Sequence, residues 1–186
     1  MKRLNIIAFI ACALLISSTG ISGKNKVNQK TQKNSPAFSM FTYQGNDQVY
    51  KDNPLKADEF YTPILQGCYP DPSITRKGDD YYLVNSSFAF FPGVPIFHSK
   101  DLVNWTQLGN VLERPSQLKL FDVGISAGVY APDIVYNPHN DTFYMITTHI
   151  GGGLGNIVVK TKDPLKGWSD PIKLEFNGID PALFFD

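Results

Sequence analysis

The feature that most constrains this chain is an internal repeat of about 62 residues. The stretch Asp80-Tyr81-Tyr82-Leu83-Val84-Asn85-Ser86-Ser87 reads like Thr142-Phe143-Tyr144-Met145-Ile146-Thr147-Thr148. Ser99-Lys100-Asp101-Leu102 with Trp105 is echoed by Thr161-Lys162-Asp163-Pro164 with Trp168. The pairs Tyr82/Tyr144, Ser99/Thr161 and Trp105/Trp168 stand 62, 62 and 63 residues apart, so the register holds over a whole unit. Ahead of each unit lies a short opening: Asp71-Pro72-Ser73-Ile74, then Ala131-Pro132-Asp133-Ile134, then Asp180-Pro181-Ala182-Leu183. A carboxylate precedes the proline in the first and third openings, and an alanine does so in the second.

Within a unit, β-branched and aromatic runs alternate with clusters of Gly, Pro, Asn and Asp, the chemistry of strands joined by turns. The first unit reads as strands near Ser73–Arg76, Tyr81–Ser86, Pro95–Ser99 and Trp105–Leu108, with Lys77-Gly78-Asp79 as a turn. The second reads as Ile134–Tyr136, Phe143–Thr148, Ile157–Lys160 and Ile172–Leu174, with a turn through 137–141. Beyond the first residues no useful window has an apolar period of 3.6. Four strands per repeat make the blade of a β-propeller, whose innermost strands line a central channel. The expected fold is therefore all-β: two blades and the first strand of a third, each opening supplying an innermost strand.

In that fold Asp71 and Asp180 stand two blades apart at one mouth of the channel. Facing carboxylates in a cleft suit acid–base chemistry on a glycosidic bond, one group activating water while another protonates the leaving oxygen. An aspartate before proline is also a common turn former, and that reading stays open for each residue alone. Their shared place in the repeat sets the functional reading level with it.

These motifs carry a resemblance. Gly67-Cys68-Tyr69-Pro70-Asp71-Pro72-Ser73-Ile74, Gly78-Asp79-Asp80-Tyr81-Tyr82, Phe91-Pro92-Gly93-Val94-Pro95-Ile96, His98-Ser99-Lys100-Asp101-Leu102-Val103-Asn104-Trp105 and Tyr130-Ala131-Pro132-Asp133 fall in order. Trp168-Ser169-Asp170-Pro171 and Ile179-Asp180-Pro181-Ala182-Leu183-Phe184-Phe185-Asp186 follow. From about residue 62 onward the chain resembles glycoside hydrolase family 43, the β-xylosidases, α-L-arabinofuranosidases and arabinanases. The resemblance implies a five-bladed propeller that cleaves xylosidic or arabinofuranosidic bonds of plant hemicellulose with inversion. It implies Asp71 as the general base and Asp180 as the group that raises the acid's pKa and orients it. A neighbouring negative charge does disfavour ionisation of a second carboxyl, which fits that role. Phe88 and Tyr130 match aromatic positions that line the sugar pocket, although tryptophan is common where Tyr130 stands. Core packing is the plain alternative for both.

The family's general acid is a glutamate in the blade after Asp180. Glu59, Glu113 and Glu175 do not match its place, so residues 62–186 read as the incomplete N-terminal part of a catalytic domain, inactive by itself. A non-catalytic sugar-binding propeller, or an inactive remnant, is the competing reading. Trp105 and Trp168, at one repeat position, read as blade-packing residues.

At the other end, Lys2 and Arg3 precede an apolar run from Leu4 to Ile16, with small residues at Ser17, Ser18, Gly20, Ser22 and Gly23. This is the pattern of a signal peptide over 1–23, cleaved between about Gly20 and Lys24, and it directs a secreted or periplasmic protein. Cys12 lies inside the apolar run, which disfavours a lipoprotein anchor. Residues 24–61 then form a polar tether and leading segment. Removal of Cys12 leaves Cys68 as the one thiol, so no intramolecular disulfide is expected.

Lys+Arg 17 against Asp+Glu 17 leaves no net charge, which argues against nucleic-acid or anionic-membrane partners. His98, His139 and His149 lack ligand spacing, so neither a metal nor another cofactor is expected. The expected partner is a xylose- or arabinose-containing oligo- or polysaccharide. Whether xylose or arabinose is preferred, and whether cleavage is exo or endo, the motifs leave open.

Overall fold

In the computed structural model the described residues are 47–186. The export segment expected over 1–23 and the tether up to residue 46 lie outside them. Apart from a five-residue helix, α1 (Gln48–Asp52), and a 3₁₀ turn at Pro164–Lys166, the regular structure is β. The strands are β1 (Ser73–Lys77), β2 (Asp80–Val84), β3 (Gly93–Ser99), β4 (Thr106–Leu112), β5 (Gly128–Asn137), β6 (Thr142–Ile150), β7 (Gly155–Thr161) and β8 (Ile172–Lys173). They form two antiparallel four-stranded sheets in sequence order, β1-β2-β3-β4 and β5-β6-β7-β8. These are blade 1 and blade 2, the repeat expected from the sequence.

Local chemistry sets the turns. Lys77 pairs with Asp80 across a two-residue turn, where Gly78 takes φ 60° at the first central position. Primed hairpin turns need positive φ there, and glycine supplies it without a Cβ penalty. The corresponding turn of blade 2 is longer and runs between the paired residues Asn137 and Thr142.

Most strand ends differ from the sequence reading by one or two residues, and those of β4 and β5 by more. β4 runs on to Leu112, and α1 lies within the leading segment that precedes the blades. β5 begins at Gly128, six residues before the expected Ile134. Pro132 reads as a strand breaker, but the β5–β6 register shifts between Tyr130 and Asp133. That irregularity lets the strand pass a residue with no amide hydrogen.

One core lies between the sheets. Val84, Val94, Ile96, Val111 and Leu112 of blade 1 meet Val129, Ile134, Phe143, Met145, Ile157, Val159 and Trp168 of blade 2. Burial of each aliphatic side chain stabilises by about 1.5–3 kcal/mol, so this seam joins the blades. Polar ties reinforce it. Gln117, with no exposed surface, accepts from the Glu113 and Arg114 amides at 3.0 and 3.1 Å. Its Nε2 donates to the Trp168 and Ser169 carbonyls at 3.1 and 2.9 Å. The linker leaving blade 1 is thus sewn to the last turn of blade 2. Trp168 is 4 % exposed within the core, whereas Trp105 is only partly buried, its Nε1 donating to the Leu102 carbonyl at 3.0 Å.

The innermost strands touch as a propeller requires. Ser73 Oγ donates to Asp133 Oδ1 at 2.7 Å and accepts from the Ile134 amide at 3.1 Å. The Tyr136 amide donates to Thr75 Oγ1 at 2.9 Å. The third opening, residues 180–186, runs without ladder pairing: its Leu183 amide donates to Asp133 Oδ2 at 2.8 Å, and Phe185 packs on Tyr144 with ring centroids 5.1 Å apart.

Candidate active site

The three openings share a backbone conformation as well as a sequence pattern. Asp71, Ala131 and Asp180 all have positive φ, at 52°, 37° and 55°. A residue before proline is normally driven to extended backbone, and left-handed φ is costly for any side chain, least so for Asp and Asn. The repeat therefore reproduces one strained corner three times and varies the side chain standing on it.

Asp71 is exposed, and its carboxylate is held by blade 1. Ser86 Oγ donates to Asp71 Oδ2 at 2.5 Å and accepts from the Ala131 amide at 2.7 Å, so it joins the first two corners. Asn85, 1 % exposed, donates to the Tyr69 and Pro70 carbonyls at 2.9 and 3.2 Å, and the Ser86 amide also donates to Pro70 at 3.1 Å. Burial of Asn85 and the hydrogen bonds of its Nδ2 and of the Ser86 amide fix the loop that holds Asp71. Asp180 is exposed and reaches the same neighbourhood through Leu183, whose amide meets Asp133. The segments bearing both aspartates therefore converge on β5.

Phe88 and Tyr130 lie beside that corner. The Phe88 and Val129 backbones exchange hydrogen bonds of 2.9 and 3.0 Å, tying blade 1's loop to β5. Their close approach depends on Gly128, where an added Cβ would sit 2.1 Å from the Phe88 carbonyl oxygen. The Phe88 and Tyr130 rings meet edge to face with centroids 5.2 Å apart, and both are partly buried. The Tyr130 hydroxyl donates to the Ser126 carbonyl, which fixes the ring further. Two aromatic rings of set orientation beside a carboxylate offer an apolar face and an ionic edge, the two things a sugar presents surfaces for.

His149, paired with Val129 across the ladder, is 2 % exposed and neither ring nitrogen has a partner. A Cβ on Gly152 would lie 1.6 Å from its Cε1, so the glycine loop lies directly on the imidazole. Burial holds its pKa below the usual histidine value. It is a packed strand residue of β6. An open recess of about 540 Å³, lined by Lys77, Asp80, Tyr82 and Phe143 among others, lies at the far end of β1. Five residues of strand put it roughly 13 Å from Ser73, away from the aspartates. Of the glutamates, Glu59 is bound to Lys56 at 3.3 Å and Glu175 is exposed. Among the described residues no three His, Cys, Asp or Glu cluster to hold a metal ion.

The structure thus brings Phe88 and Tyr130 together and links the Asp71 and Asp180 segments. Sequence reasoning passed over Ser86 and Asp133, which do the linking. One signal was present: the residue after each opening proline is Ser73, Asp133 or Ala182, and the first two pair across adjacent inner strands.

Residues 60–186 match the family described as Glycosyl hydrolases family 43. A xylosidase/arabinosidase of Butyrivibrio fibrisolvens is 58% identical over 127 residues, covering 67% of this chain and 24% of that protein. A non-reducing end α-L-arabinofuranosidase of Bacteroides ovatus is 46% identical over 134 residues, covering 70% and 25%. Among solved structures, a GH43_12 protein retrieved from capybara gut metagenome superposes with TM-score 0.72 at 71% identity, covering 76% of this chain and 27% of that one. The chain spans about a quarter of the length of the curated relatives it matches.

Proposed function

The chain belongs to glycosyl hydrolases family 43, and from that premise we propose that the protein is an exported glycosidase cleaving xylosidic or arabinofuranosidic bonds of plant hemicellulose with inversion. Relatives named xylosidase/arabinosidase, α-L-arabinofuranosidase and β-xylosidase support the substrate class. The single observation that carries the mechanism is the exposed Asp71 carboxylate, aimed by Ser86 beside the Phe88–Tyr130 pair.

In this reading Asp71 takes a proton from the attacking water, with Ser86 fixing which oxygen faces it. Asp180 keeps the proton donor protonated and oriented by its negative charge. Phe88 and Tyr130 supply a stacking surface for the sugar ring. The resemblance gives the donor role to a glutamate of the blade after Asp180, a place that Glu59, Glu113 and Glu175 do not match. Export rests on Lys2, Arg3 and the apolar run Leu4 to Ile16; N-terminal sequencing of the exported protein should begin between about Gly20 and Lys24.

The test uses the full-length protein with aryl xylosides and arabinofuranosides. Asp71→Asn should abolish hydrolysis, and proton NMR of the first sugar released by the unsubstituted protein should give the inverted anomer. Asp180→Asn should lower the basic limb of the pH–rate profile and spare substrates with good leaving groups. A retained anomer would remove the role given to Asp71. Binding of pentose oligosaccharides without any turnover would replace the enzyme by a sugar-binding propeller.

A further inference from the structure

Asp133 stands one residue past the proline of the second opening, where the first opening has Ser73 and the third has Ala182. Each of its carboxylate oxygens serves a different opening. Oδ1 accepts from Ser73 Oγ at 2.7 Å, and Oδ2 accepts from the Leu183 amide at 2.8 Å. Ser73 follows Asp71 by two residues, and Leu183 follows Asp180 by three. The tie to Ser73 is doubled, since Ser73 Oγ also accepts from the Ile134 amide at 3.1 Å. The third opening has no ladder bonds, so Oδ2 is its backbone's hydrogen bond to β5. One short side chain, on a strand buried in the seam, is therefore the common reference for both segments.

We propose that Asp133 is a positioning residue for the hydrolytic reaction, a clamp that fixes Asp71 and Asp180 relative to one another through Ser73 and the Leu183 backbone without touching substrate. This rests on the functional reading above. Catalytic groups must be held to within about half an ångström, and a displacement of about 1 Å costs roughly 100-fold in rate. Two hydrogen bonds accepted by one carboxylate give that precision, because the short aspartate side chain meets both donors in a single pose.

The clamp predicts an ordering of variants that a charge effect would not. In the full-length protein acting on an aryl pentoside, Asp133→Ala should lower kcat about 10- to 100-fold while KM stays within about twofold. Asp133→Asn should restore kcat to within about fivefold of wild type: its Oδ1 can accept from Leu183 while its Nδ2 donates to Ser73 Oγ, a hydroxyl that both gives and takes hydrogen bonds. Ser73→Ala releases one arm only and should fall between, about 3- to 10-fold down in kcat. If Asp133→Ala does not fold, the Ser73→Ala result decides. Wild-type kcat in Asp133→Ala or in Ser73→Ala overturns the proposal, and so does an Asp133→Asn as impaired as Asp133→Ala, which would make charge the agent. No hydrolysis of any pentoside by the unsubstituted protein would instead sink the functional reading, and the clamp with it.

Discussion

Blades 1 and 2 share strand order, hairpin connections and the left-handed corner before proline, yet they use the same positions differently. On the corner, blade 1 presents Asp71 to solvent, whereas blade 2 places Ala131 and carries its carboxylate two residues later as the partly buried Asp133. At the repeat position of the tryptophans, Trp105 is partly buried and Trp168 lies in the core. Strand β6 of blade 2 is buried over most of its length, while its counterpart β2 reaches full burial only at Val84. The repeat encodes backbone, and place in the stack decides what a side chain does there. A residue meets an adjoining blade or it meets solvent, and the same sequence pattern serves both.

The most severe outcome is expected at the seam. Gly128 has φ 102°, and a Cβ there would approach the Phe88 carbonyl oxygen to 2.1 Å, backbone against backbone. Neither side can yield without breaking the Phe88–Val129 pair. Gly128→Ala in the full-length protein should therefore cost more than about 5 kcal/mol or prevent folding. A thermal midpoint within a few degrees of wild type would mean that the blades are not locked at this point.

Next comes the tryptophan pair. Trp168→Ala opens a cavity in the common core and should cost about 3–5 kcal/mol. Trp105→Ala removes a partly exposed ring with one hydrogen bond to Leu102 and should cost about 1–2 kcal/mol. Denaturant midpoints for the two variants read the ratio directly. Equal losses would show that both rings pack between blades, as their shared repeat position suggests, and would erase this contrast between blades 1 and 2.

Much of this architecture was legible in the chain, because period-2 apolar runs and Gly/Asp turns are local signals. Tyr81, Leu83 and Val84, or Phe143, Met145 and Ile146, declare strands whatever surrounds them. β5 was underread because Pro132 is a local stop signal that a register shift overrides, and that shift depends on the partner strand. The paired repeat positions pointed to Asp71 and Asp180 for the same reason that they pointed to blades. Ser86 and Asp133 were not legible as braces: a hydroxyl or carboxylate finds its partner only when adjacent openings are brought side by side. Nothing in the chemistry of Ala131 advertises a positive φ. The burial of His149 was equally hidden, since only the folded glycine loop brings Gly152 onto its ring.

That histidine gives a pH test of the more deeply buried blade. His149 has no hydrogen-bond partner, no charged group contributes to its shift, and burial alone lowers its pKa in the folded protein. The unfolded chain binds a proton below the ordinary value of 6.5 while the folded one resists. Stability present above that value is therefore lost as pH falls from it through the depressed folded value, each unit of depression being worth about 1.4 kcal/mol. Between pH 7 and pH 5 the thermal midpoint of wild type should drop further than that of His149→Gln, which does not titrate. Parallel curves for the two proteins would mean that the imidazole is hydrated or paired when protonated, and that blade 2 is more open here than its burial indicates.

The smallest expected effect is the most direct probe of the shared corner. Ala131 sits at φ 37°, where an L-residue without a polar side chain is strained by roughly 1–2 kcal/mol, while Asp71 and Asp180 tolerate the same region better. Glycine removes that strain but loses about 0.4–1 kcal/mol through the greater freedom of the unfolded chain. The amide that donates to Ser86 Oγ at 2.7 Å is untouched by the change. Ala131→Gly should therefore be neutral or stabilising by up to about 1 kcal/mol, opposite in sign to the usual loss of about 0.5–1 kcal/mol for this substitution inside a strand. The shift of the denaturant midpoint at constant slope measures it. A destabilisation of about 1 kcal/mol would mean that Ala131 rests in ordinary strand backbone, and the corner would then belong to the two aspartates alone.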